Sequence, residues 1–172
     1  MLHALSTLSK PTIARVQGAA LGGGTGLAAA CDMAVASSDA VFSTSEVKFG
    51  IIPAVISPYV LRAIGPRQAL RYFQSAERIN AERALAIGLV NEVAPLDQLD
   101  AAVAALVKPL LAGGPLAQKA AKDLIAAVNG RPIDAETLEL TAQRIARQRS
   151  TDEARDGVSA FLDKRPPAWM QP

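Results

Sequence analysis

Cysteine and histidine are almost missing from this chain: Cys31 and His3 are the single representatives of their types among 172 residues. One thiol excludes an internal disulfide, and one imidazole leaves no cluster with the spacing that zinc or iron requires, so no metal is expected. Aromatic residues make up only 4% of the chain while half of it is hydrophobic. The interior must therefore be built from Ala, Leu, Val and Ile, which favours closely packed helices with short strands. The net charge of +2 is spread over many acids and bases, with no basic block and no aromatic–basic interleaving, which argues against a nucleic-acid partner. No apolar run approaches the roughly 18 residues that span a bilayer, and the start lacks a basic segment followed by an apolar one. The expectation is a soluble, cytoplasmic or organelle-matrix protein with no membrane partner, of a length that suits one domain with a real core.

What is present is glycine in one place. Residues 19–27 read Ala-Ala-Leu-Gly-Gly-Gly-Thr-Gly-Leu, between a strand-like approach over 12–18 and an Ala-rich helical run over 27–31. Consecutive glycines there allow a tight turn and leave backbone N–H groups free at a helix start, a place for negative charge. No Gly-Lys-Ser/Thr follows, and position 27 is Leu where a dinucleotide fingerprint needs its third Gly, so a nucleotide phosphate is disfavoured. A charge that develops only during a reaction fits better.

Further along, strands are expected at 32–36 and 40–43, and a loop at 45–53. Ser57-Pro58 reads as an N-cap followed by Pro at the first helical position, and Gly65-Pro66 as the end of that helix and the start of another over 67–75. Asn80 is read as the N-cap of a helix over 81–87, with Gly88 as its C-cap and an extended stretch over 89–93. From Pro95 onward the pattern is helical, with amphipathic segments at 99–111, 116–128, 135–149 and 153–164. Ser150 and Glu153 fit a capping box for the last of these.

Glu46 is the one carboxylate in the 45–53 loop. Its neighbours Val47, Phe49, Ile51 and Ile52 are apolar and are expected to bury it in part, the setting in which a carboxyl serves as a general acid or base. Backbone amides aimed at an oxyanion, plus one acid–base group, are the minimum for enolate chemistry on an acyl compound. Asp32, directly after the Ala helix, reads as a structural hydrogen-bonding residue.

The run Ala-Leu-Gly-Gly-Gly-x-Gly-Leu, with Cys31-Asp32, Ala40-x-Phe42, Glu46 and Gly50-x-x-Pro53 after it, resembles the enoyl-CoA hydratase/isomerase, or crotonase, superfamily. So do the unit from Arg78-Ile79 to Gly88-Leu89-Val90 and the ending Gly157-x-Ser159-Ala160-Phe161-Leu162-x-Lys164-Arg165. The run from Pro53 to Pro58 is similar to the branch of methylglutaconyl-CoA and isohexenylglutaconyl-CoA hydratases. The resemblance implies an α/β fold with a ββα spiral core, present in part over residues 1–94. It also implies a helical region over 95–172 that forms trimers, often paired into hexamers. Substrates are expected to be acyl-CoA thioesters, with coenzyme A as part of the substrate and no further cofactor. It implies that the Gly23 N–H is one of two oxyanion donors and that Glu46 is the catalytic acid–base. Phe161 and Lys164 match positions that contact the CoA adenine and phosphate, commonly from a neighbouring subunit. Read from spacing alone, Phe161 is a core residue and Lys164 a partner of the helix dipole.

Two departures from that pattern are visible. Hydratases of the family carry a second glutamate two residues after the glycine triplet, and here the position is Gly26. The family pattern also starts about ninety residues upstream of Met1, more than half the size of an ordinary domain. The chain is accordingly expected to be N-terminally truncated and to lack the partner oxyanion donor. The leading reading is an acyl-CoA lyase adding water to a 2-enoyl-CoA, branched or carboxylated ones included. The alternatives are a double-bond isomerase using Glu46 alone, and a catalytically incomplete oligomerising fragment.

Overall fold

The computed structural model describes residues 1–170 and has a mixed α/β architecture. Two compact units are defined by internal packing, one of residues 1–8 with 12–106, the other of residues 9–11 with those from 107 on.

The first unit holds both sheets. Strands β1 (Ile13–Val16), β3 (Met33–Ser37) and β6 (Glu92–Ala94) form one, all parallel, in the order β1-β3-β6. Strands β2 (Ala19–Leu21), β4 (Val41–Ser43) and β5 (Ile79–Asn80) form the other; β2 runs parallel to β4 and β5 antiparallel to it. Parallel neighbours need a crossover. Here it is β1, β2, then helix α2 (Gly23–Ala30), and next β3, β4, then helix α3 (Ser57–Ser75). Each circuit thus visits both sheets before its helix, a ββα winding. The short helix α1 (Leu2–Ser6) precedes it and α4 (Ala81–Ala86) leads into β6.

The core is small-residue packing around a few large side chains. Ala28 and Ala29 of α2, Ala34 and Ala36 of β3, Phe42 of β4, Val60 and Ile64 of α3 and Ile79 of β5 belong to one buried cluster. Asp32 is structural, as read: its carboxylate accepts the Thr12 N–H at 2.9 Å and lies 3.0 Å from the Thr12 hydroxyl.

Several boundaries differ from expectation. The stretch before the glycines is two strands and not one, because Gly18, at φ 64°, turns the chain between β1 and β2. Helix α2 begins at Gly23, four residues earlier than the Ala run suggests, so the glycines form its first turn. Ile56 occupies the N-cap of α3 while Ser57 and Pro58 are its first helical residues, and the Ser57 hydroxyl donates back to the Ala54 carbonyl. The break at Gly65-Pro66 is real: Gly65 takes φ 72°, ψ 166° inside α3. Asn80 caps α4 as read, accepting the Arg83 N–H at 2.8 Å, and Gly88 is left-handed one position beyond the cap residue Ile87. The extension beyond it starts only at Glu92; before that the Asn91 side chain accepts the Ala34 N–H and the Asn91 N–H donates to the Ala34 carbonyl.

Helix α5 (Leu99–Ala112) follows, and the second unit contains α6 (Pro115–Val128), α7 (Ala135–Arg149) and α8 (Asp152–Leu162), which pack on one another. The expected capping box of α8 does not form. Thr151 is its N-cap, and Glu153 instead accepts the Leu116 and Ala117 N–H groups, each at 2.8 Å, so that it caps α6. A helix start with no capping side chain of its own has orphan N–H groups, and a carboxylate brought there from elsewhere satisfies two of them. Among the described residues no single helix is long and apolar enough to cross a membrane, though Leu96–Ala112 and Pro115–Val128, sharply bent, pass together on length and composition.

Candidate active site

The glycine turn and Glu46 meet in one cavity. β2 delivers the chain to Gly22, whose backbone at φ 50°, ψ −114° is open to glycine and strained for other residues. The Gly22 N–H donates to the Ser43 carbonyl at 2.7 Å, which ties the turn to the end of β4. Beneath it the fully buried Thr25 hydroxyl donates to the Ala20 carbonyl at 2.6 Å and accepts the Ser43 N–H at 3.2 Å. The first backbone bond inside α2 runs from the Gly26 N–H to the Gly22 carbonyl, and no side chain caps this helix. The N–H groups of Gly23, Gly24 and Thr25 precede that bond and therefore lack intrahelical acceptors. A bound anion or oxyanion would supply one.

Glu46 lies on a 3₁₀ turn, Ser45–Phe49, and not on an irregular loop as read from sequence. A methyl group on Gly22 would stand 3.3 Å from Glu46 Oε1, so the carboxylate lies against the turn itself. Its other oxygen, Oε2, is buried without a hydrogen-bond partner. An acid–base group needs such an uncommitted oxygen if it is to exchange a proton with something placed beside it. The apolar neighbours do not bury it in the expected way. Phe49, Ile51 and Ile52 are exposed, because the 3₁₀ turn and the bend after it leave them on an open rim.

The cavity has a volume of about 640 Å³ and is lined by Gly23 and Glu46 together with Leu2, His3, Ile56 and Tyr59. Met1 and residues 51–55 complete its wall. Gly23 and Glu46, the two residues read from sequence, line the same cavity, beside His3, Ile56 and Tyr59, which the sequence reading did not single out.

Phe161 and Lys164 stand at the end of α8, in the second unit. Phe161 is 82% exposed, which overturns its reading as core. Lys164 sits two residues past the last residue of α8 with a left-handed backbone, φ 55°, its N–H donating to the Phe161 carbonyl. A cation beyond a helix C-terminus suits the dipole. Among the described residues no group of His, Cys, Asp and Glu is arranged to hold a metal ion.

A ββα-wound α/β core whose uncapped helix start faces a single carboxylate defines a class: a scaffold with an anion-receptive backbone turn beside one acid–base group. The comparisons make that class specific. The model of the enoyl-CoA hydratase/isomerase family matches residues 1–172. The chain belongs to that family. It is 36% identical over 163 residues to crotonyl-CoA hydratase of Syntrophomonas wolfei, covering 94% of this chain and 62% of that protein. It is 37% identical over 175 residues to the mitochondrial methylglutaconyl-CoA hydratase of Mus musculus, covering 98% of this chain and 55% of that one. Among solved structures, an enoyl-CoA hydratase from Shewanella pealeana superposes with a TM-score of 0.93 at 43% identity, over 98% of this chain and 63% of the other. The fold is therefore crotonase-like, and the chain spans less than two thirds of the length of these relatives.

Proposed function

We propose that this chain carries the acid–base half of an acyl-CoA lyase that adds water across the double bond of a 2-enoyl-CoA. The carrying observation is the unpartnered Glu46 Oε2 beside the open N–H groups of the glycine turn. In this reading the thioester oxygen accepts the Gly23 N–H, and negative charge grows on it as water attacks the β-carbon. The helix start favours that charge more in the enolate than in the ground state, which is the condition for catalysis. Glu46, the single carboxylate, takes a proton from the attacking water as the C–O bond forms and delivers it to the α-carbon, so that H and OH add across the double bond and the carboxylate is regenerated. Coenzyme A is part of the substrate and no other cofactor takes part. The helical region over 95–172 assembles the protein into trimers or hexamers, and Phe161 and Lys164 reach the CoA nucleotide of a neighbouring copy; the exposure of Phe161 supports this. The setting is cytoplasmic.

A double-bond isomerase is a second reading, favoured by Gly26. A proton shuttle between C2 and C4 needs one carboxylate, and position 26 supplies no second. Purified chain is incubated with crotonyl-CoA and with a 3-enoyl-CoA while thioester absorbance is followed. Turnover of the first alone supports hydration, of the second alone isomerisation, and of neither an incomplete oligomerising fragment. Glu46→Gln should lower any turnover by about 10²- to 10⁴-fold; undiminished activity removes Glu46 from the mechanism.

A further inference from the structure

Gly26 is buried, and a Cβ built on it would lie 2.2 Å from Ile56 Cγ2 and 2.7 Å from Ile56 Cβ. No real contact is that short, so the Ile56 side chain occupies the room that a side chain at 26 would need. Ile56 is itself only 4% exposed and belongs to the buried core, yet it also lines the Glu46 cavity. It stands at the N-cap of α3, where the segment leaving Glu46 enters a helix. A side chain gripped on one face by α2 and shared by core and cavity gives that wall a fixed position.

The wall is apolar. Leu2, Ile51, Ile52, Val55, Ile56 and Tyr59 dominate it, and the titratable groups among the lining residues are the Met1 amino group, His3, Glu46 and the Tyr59 phenol. No Lys or Arg is among them. A carboxylate on the acyl group would face the carboxylate of Glu46 across a wall that is otherwise mostly apolar, with the Met1 amino group and His3 the other polar groups on it. Ile52 and Val55 are 71% and 78% exposed, an apolar rim that an acyl chain would cover.

We propose that Ile56, seated in the hollow over Gly26, is a specificity-determining residue that limits the cleft to short, uncharged acyl chains. This rests on the acyl-CoA reading above and deepens it, setting carboxylated substrates aside. Two saturated thioesters that cannot react, butyryl-CoA and glutaryl-CoA, are titrated into the whole chain by calorimetry, with crotonyl-CoA turnover measured in parallel. Butyryl-CoA should bind at least about tenfold more tightly than glutaryl-CoA. Ile56→Ala should improve hexanoyl-CoA relative to butyryl-CoA about fivefold or more, and Ile56→Val, which keeps the core nearly filled, about twofold. Gly26→Ala, by displacing Ile56 into the cleft, should weaken butyryl-CoA binding, and Gly26→Ala/Ile56→Ala should restore it to the level of Ile56→Ala. Equal affinity for glutaryl-CoA, an unchanged chain-length preference in both Ile56 variants, or failure of that rescue overturns the proposal. Selective binding without turnover leaves it standing and removes the hydratase reading; turnover without selectivity does the reverse. Absence of binding by either thioester overturns both.

Discussion

Replacing Gly22, Gly23, Gly24 and Gly26 by alanine one at a time should divide four chemically identical changes into two that disrupt the turn and two that it tolerates. At Gly22 the backbone lies at φ 50°, ψ −114°, where a Cβ costs of order 1–3 kcal/mol in strain. The methyl group also comes within 3.3 Å of Glu46 Oε1, a tight approach that the carboxylate relieves by shifting a few tenths of an ångström. The expected loss is about 2–3 kcal/mol of stability together with a displaced acid–base group. Gly23 is helical and nothing lies within 4 Å of its built Cβ. Alanine there should be neutral or stabilise by up to about 0.5 kcal/mol, since it narrows the unfolded ensemble. Because Gly23 lines the cavity and keeps its N–H, the variant should raise KM more than it lowers kcat. At Gly24 the new methyl meets only Ala20 Cβ at 3.6 Å, an ordinary contact, and the expectation is again near zero or favourable. At Gly26 the overlap with Ile56 predicts overpacking, about 1–3 kcal/mol. Urea unfolding at neutral pH, with m-values compared to confirm a common unfolding transition, measures all four. If Gly22→Ala falls within about 0.5 kcal/mol of Gly23→Ala, or Gly26→Ala costs no more than Gly24→Ala, the account of the turn is wrong.

The remaining tests address the scaffold. Glu153→Ala should cost about 1–2 kcal/mol and selectively increase amide exchange at Leu116 and Ala117, because both N–H groups lose their acceptor; unchanged protection there would return Glu153 to a role in its own helix. Asn91→Ala should cost about 1–3 kcal/mol by orphaning the Ala34 N–H, read by thermal denaturation. The Asp156 carboxyl is held below its ordinary value first by the Ala168 N–H and then by Arg165. A depressed carboxyl contributes its stabilisation above the unfolded pKa near 3.8 and loses it as pH falls through the folded one. The Ala168–Met170 turn should therefore loosen in acid below about pH 4, seen as a change in Trp169 fluorescence that Asp156→Asn makes independent of pH.

Sequence patterns revealed the order of elements because each is punctuated locally. Asn80 acts through a side chain that reaches only three residues on, and Gly65-Pro66 and Gly88 through their own backbone; Asn80 and Gly65-Pro66 stand in the structure where they were read, and Gly88 one position beyond the cap. Features that depend on distant partners were hidden. Glu153 three residues after Ser150 has capping-box spacing, but its acceptor oxygens serve amides 36 and 37 residues away. Gly26 shows as a missing carboxylate in sequence, while the reason a side chain is excluded there, Ile56, lies 30 positions on and across a helix pair. Similarly, the apolar residues around Glu46 suggested burial, whereas a 3₁₀ turn with left-handed Gly50 after it aims them at a rim. Composition reports which residues are apolar; only the backbone decides whether they cover a neighbour or await a ligand.

The C-terminal helices pose the corresponding question for assembly. Leu111, Leu116, Ile125, Leu138, Ile145, Phe161 and Leu162 are all exposed. Helices α6 and α7 contain no buried residue, and α8 contains one, Ala160. Amphipathic helices gain most of their stability from burying the apolar face, and a helix of this length is marginal in water without it. Side chains of that size are each worth about 1.5–3 kcal/mol when fully buried, so covering even a few of them with a second copy would favour association. If those faces meet in a trimer, folding is linked to subunit concentration by mass action. For three chains folding as one particle, each tenfold increase in concentration should add about 2.7 kcal/mol per mole of trimer, because two association steps each contribute about 1.4. Urea midpoints measured from micromolar to hundreds of micromolar chain, beside sedimentation-equilibrium masses, read this directly. A midpoint independent of concentration with a monomer mass would mean that these helical faces remain in water, and the proposed reach of Phe161 and Lys164 to a neighbour's CoA would fall with it.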